Sequence, residues 1–67
     1  MSKPAAIVLQ TLPRGGWLVL ALPAFDERPI ILAELMAELG LDFARTMAHL
    51  IALHYGINSI LEDLYVA

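Results

Sequence analysis

The chain has no cysteine. That absence removes disulfides and thiolate-held metal as sources of stability, and it fits a reducing, cytoplasmic setting. Cations are nearly as scarce. Lys3, Arg14, Arg28 and Arg45 stand singly along the chain, against 7 acidic residues, for a net charge of −3. A nucleic-acid binder needs clustered cations to neutralise phosphates, so nucleic acid is not an expected partner. An anionic membrane surface is disfavoured on the same ground. No apolar run reaches the about 18–20 uninterrupted residues of a spanning helix. Pro13, Arg14, Gly15 and Gly16 break the N-terminal apolar stretch, so it does not read as a secretory leader.

Chemistry-bearing motifs are also lacking. Ser2 and Ser59 are the only serines; Ser2 falls in the N-terminal tail and Ser59 reads as a helix cap, which leaves no serine nucleophile for a Ser-His-acid site. Gly15-Gly16 has no lysine after it and runs straight into Trp17, so it is a turn and not a phosphate cradle. His49 and His54 are five residues apart, whereas a metal pair on one helix face needs a spacing of three or four. His54 falls on the apolar side of its helix near the C-terminal end, where an imidazole bonded to a carbonyl is the plain reading; the sharper alternative is a proton-transfer residue of a small enzyme or ligand binder. No catalytic residue, cofactor or metal ligand is assigned.

What the chain has in excess is apolar surface. Hydrophobic residues make up 60% of it. Even with glycine counted in and tyrosine out, the fraction exceeds the about 45–50% of globular chains. A small domain should deviate the other way, because it has proportionally more surface to cover with polar groups. The excess points to a homo-oligomer, a dimer in the simplest case, or to an obligate partner protein. The bias toward Ala, Leu and Arg over Lys, Asn and Ser suggests a GC-rich bacterial or phage source.

The chain reads as a single small domain, residues 1–67, opening with a loose tail over 1–4. Residues 5–22 read as a β-hairpin: two β-rich runs separated by Pro13-Arg14-Gly15-Gly16. Within its two strands only Gln10 and Thr11 are polar, so both faces of the hairpin should be covered. A helix is expected over 26–39, capped by Asp26, with Pro29 in its first turn and Gly40 at its end. It would carry Glu27, Glu34 and Glu38 as a narrow acidic stripe. A second helix is expected over 42–55, from an Asp42 cap to a Gly56 stop. Phe43, Met47, Leu50 and Ile51 form its core face, with Leu53 left on the polar side. Ser59 and Glu62 have capping-box spacing ahead of a short third helix over 60–65.

The expected fold is therefore α+β, a two-stranded antiparallel hairpin followed by three helices, ββααα. The expected function is a non-enzymatic protein–protein interaction module: a regulator, adaptor or inhibitor, the phage-encoded kind included. Its partner-binding residues would be Trp17, Val19 and Ala21 on the hairpin and Glu27, Glu34 and Glu38 on the acidic stripe. The partners would be a second copy and another protein. Helix–Gly40 turn–helix also has the outline of a helix-turn-helix or ribbon-helix-helix regulator, with Arg45 as the one base-reading cation.

Overall fold

The computed structural model describes residues 4–24 and 28–63. Within them, four strands form a mixed sheet in the order β3-β2-β1-β4. In chain order the elements are β1 (Ala6–Thr11), β2 (Trp17–Leu22), β3 (Ile30–Leu35), a 3-10 turn (Ala37–Leu39), α1 (Leu41–His54) and β4 (Leu61–Asp63). β1 pairs antiparallel with β2, β2 antiparallel with β3, and β4 parallel with β1. β3 and β4 therefore run the same way at opposite edges. Joining them requires a crossover, and α1 is that crossover, lying chiefly across β1.

The hairpin has the form its sequence dictates. The Gly15 N–H donates to the Leu12 carbonyl at 3.1 Å, and the Leu12 N–H donates to the Gly16 carbonyl at 3.0 Å. Gly16 takes φ +86°, a conformation that a side chain disfavours. The end of α1 is also as the sequence implies. Ile57 N–H donates to Ala52 O and Gly56 N–H to Leu53 O, both at 2.9 Å, which is the Schellman arrangement with glycine in the left-handed position.

The ββααα expectation is overturned in two places. Residues 30–35 are strand β3, not part of a helix over 26–39; Asp26 and Glu27 lie outside the described residues. The physical reason is Pro29 followed by Ile30-Ile31. Proline holds its predecessor extended, β-branched residues favour a pleated surface, and the outer edge of β2 would otherwise be left unpaired. The element that would precede α1 in a helix-turn-helix unit is therefore a strand. The expected third helix over 60–65 is likewise replaced by β4, whose backbone pairs Val8 with Leu61 and Leu9 with Glu62; residues 64 and 65 lie outside the described residues. Ser59 makes no capping box, because Glu62 is bonded to Arg45 instead.

A β-bulge makes β3 fit. Val19 pairs with Ala33 and Leu20 with Ile31, which leaves Leu32 as the extra residue. Strand parity is strict. Without the extra residue, alternation from Ile30 would turn Glu34 toward the helix and Leu35 away. With it, Leu35 is buried and Glu34 is exposed.

α1 starts one residue earlier than expected, and Gly40 takes the N-cap position with no side-chain cap bond. Asp42 sits inside the first turn, where its charge favours the helix dipole, and its carbonyl accepts a bond from Thr46 Oγ1 at 2.9 Å. The buried line of α1 is Ala44, Ala48 and Ala52, each fully buried. Phe43, Leu50 and Leu53 are exposed, while Met47 and Ile51 pack beside the alanines. Small side chains let the helix backbone approach the sheet closely, and the bulk of the core comes from the sheet through Ile7, Leu9 and Val19.

Candidate functional site

Register sorts the side chains of the sheet into two sets. Ile7, Leu9, Val19, Ala21 and Leu35 face α1 and form one buried cluster with its alanines. Among the described residues, no helix lies over the opposite face. A central row crosses all four strands there, Ile31–Leu20–Val8–Leu61, and every member is aliphatic. Val8 is buried yet stands outside the core cluster. The ends of the row are open to solvent: Ile31 is 61% exposed and Leu61 57%. Toward the hairpin turn, the next row is Glu34–Leu18–Gln10; on the other side, Leu22 and Ala6 pair.

The open face thus has a charge-free aliphatic centre and an acidic corner at Glu34. Among the described cations, Arg14 lies in the hairpin turn, Arg28 precedes β3, and Arg45 is on the helix side. Arg45 Nε donates to Glu62 Oε1 at 2.7 Å. That hydrogen bond, and then the carboxylate charge, raise the pKa of the guanidinium.

The residues singled out from sequence are dispersed. Val19 and Ala21 are buried beneath α1, and Trp17 packs against the same core, paired between Thr11 and Leu35. Glu34 is exposed on the open sheet face and Glu38 is exposed in the 3-10 turn; without the helix there is no shared stripe, and Glu27 lies outside the described residues. His49 and His54 are both exposed. His54 meets the ring of Tyr55 edge-on, with centroids 5.3 Å apart. Among the described residues, no group of three or more His, Asp or Glu side chains could hold a metal ion, and no helix is long and apolar enough to cross a membrane.

The open-face residues Val8, Leu18, Leu20, Ile31 and Leu61 escape a reading by sequence. The apolar content of both hairpin faces is visible, but not which set the helix covers. Gln10 and Thr11 are adjacent and point to opposite faces, so the polar residues of β1 do not decide it. No protein-family model matches this chain, and neither does any curated protein or any solved structure.

Proposed function

We propose that this chain is a non-enzymatic protein–protein interaction module whose working surface is the open sheet face. The observation that carries the reading is the central row Ile31–Leu20–Val8–Leu61, aliphatic across all four strands and, among the described residues, without a helix over it. An antiparallel sheet that faces water normally alternates apolar-in with polar-out. Here both faces are apolar, and burying the second one in a protein contact is the favourable outcome. The module acts by occupying a surface of its partner, as a regulator, adaptor or inhibitor does. Its proposed setting is the cytoplasm of a bacterial host, which the cysteine-free composition supports.

The lack of native cysteine gives a direct test. A single thiol is placed at the centre of the face by Leu20→Cys, and on exposed helix surface by Thr46→Cys. Alkylation rates are measured in intact cells and on the purified chain at high dilution. The expected result is slower alkylation of the Leu20→Cys thiol in cells and an unchanged rate for the Thr46→Cys thiol. Equal rates at Leu20→Cys in the two settings would refute a protein-covered face.

A further inference from the structure

We infer that the occupant of the open face is a second copy of this chain, packed sheet against sheet about a two-fold axis parallel to the central row. The inference rests on the interaction reading above and adds the partner and the geometry. A partner for the row must itself present a flat aliphatic strip without charge. The described residues form such a strip, and a row stacked on its own copy is self-complementary, as a two-fold contact requires. Two sheets of this kind pack with strand directions within about 30° of each other and inner faces about 10 Å apart.

Charge selects the axis. If the axis ran along the strands, the Glu34–Leu18–Gln10 rows of the two copies would coincide. Glu34 would then face the register position of Asp63, and acidic residues would meet at the rim of a dry contact. If the axis runs along the central row, strand directions reverse. Leu20 then meets Leu20 of the other copy, Leu18 faces Leu22, and the two Glu34 carboxylates lie at opposite ends. The second arrangement has apolar residues opposite apolar residues and separates the like charges.

The footprint fixes the strength. Four strands at ~4.8 Å spacing and about six residues at ~3.3 Å give roughly 400 Å² in projection. A standard stable interface buries about 800 Å² per partner. Corrugation adds area, but the contact remains at the small end of specific interfaces, so the dimer dissociates on dilution. Closure about a two-fold leaves the flank of α1, with Phe43 and Leu50, outside the contact.

Light scattering across a dilution series, with the wild-type chain, Ile31→Lys and Thr46→Lys, tests the face. Ile31 is 61% exposed, so lysine there is compatible with folding, which circular dichroism checks. The expected result is a two-chain mass that falls to one chain on dilution, is lost in Ile31→Lys at every concentration, and is kept in Thr46→Lys. A short bismaleimide that spans the about 10 Å between packed sheets tests the axis on single-cysteine variants. Leu18→Cys mixed with Leu22→Cys should give a cross-linked pair, and neither variant alone should. A dimer that Ile31→Lys leaves intact, or one in which Leu18→Cys links to itself, overturns the geometry. A monomer at every concentration, with the Leu20→Cys thiol still protected in cells, overturns the second copy and leaves the interaction reading standing. A monomer whose thiol is unprotected overturns both.

Discussion

Arg45, on the side of α1, reaches across to Glu62 on β4 and holds its carboxylate at 2.7 Å. β4 is three residues long and pairs with β1 alone, and this contact ties that edge to the helix. Both side chains are partly exposed, at 42% and 33%, and pairs of this kind add little to global stability. Arg45→Met keeps most of the stem and removes the charge. The expected result is a thermal midpoint within the error of wild type, with faster amide exchange at Leu61 and Glu62. Molar salt should reproduce the loss in wild type, by screening. Alkali should not. Arg45 has its pKa raised by Glu62, so its contribution is complete below the ordinary guanidinium value and is lost only as pH rises through the raised one. A fall by about pH 10 in the protection of β4, taken relative to the intrinsic exchange rate at each pH, would contradict the assignment.

The buried line of α1 predicts an inversion of the usual ranking of helix positions. Ala48 is fully buried and Leu50 is 56% exposed. Ala48→Leu must force new volume between helix and sheet and should destabilise the chain by about 1–3 kcal/mol. Leu50→Ala removes a larger, more hydrophobic side chain, yet it should stay within about 0.5 kcal/mol of wild type. Urea midpoints of the two variants decide it. A larger loss for Leu50→Ala would mean that the helix is rotated about its axis relative to the sheet.

That inversion also shows where the sequence was readable. The hairpin and the Gly56 stop follow from local chemistry: turn residues between β-rich runs, and a glycine where the chain must go left-handed. The rotation of α1 does not. A helical wheel ranks faces by hydrophobicity, whereas the sheet selects for small size, and alanine carries little hydrophobic weight. β3 was hidden for a different reason. Ile30, Ile31 and Leu32 straddle a bulge, so the period-two signal is broken where it would be sought, and Pro29 is equally acceptable in a helical first turn. β4 owes its strand conformation to backbone pairing with β1, a partner some fifty residues away that local spacing does not register. The open face was half legible: two-sided apolar character is plain in the hairpin, but its outward set depends on where the helix lands.

Gly16 and Gly40 share φ +86° and differ in their surroundings. A Cβ on Gly16 would stand 2.5 Å from the Leu35 carbonyl oxygen, a backbone atom of β3. A Cβ on Gly40 would meet nothing within 4 Å. Gly40→Ala should therefore cost backbone strain alone, about 1–3 kcal/mol. Gly16→Ala adds a clash that only displacement of β3 can relieve, and should cost more, about 2–4 kcal/mol. Chemical denaturation of both variants gives the order. Equal losses would show that the hairpin turn and β3 are not in close approach.

The bulge supplies the most demanding test of register. Removing Leu32 leaves Ile31 opposite Leu20 and Ala33 opposite Val19, with no residue left over. Glu34 still faces outward and Leu35 inward, so every pair of the ladder is preserved. What is lost is the part-buried packing of Leu32 against the core, about 1–2 kcal/mol for a leucine of that exposure. The deletion should fold, with a cooperative melt and a sheet content close to wild type. Removing Leu18 from β2 has no such outlet. β2 pairs on both sides without a spare residue, so a one-residue slip would turn Val19 and Ala21 outward and send the open-face leucines under α1. That deletion should not give a folded chain. Folded spectra from the Leu18 deletion, or unfolding of the Leu32 deletion, would show that Leu32 is not the residue that absorbs the register of β3.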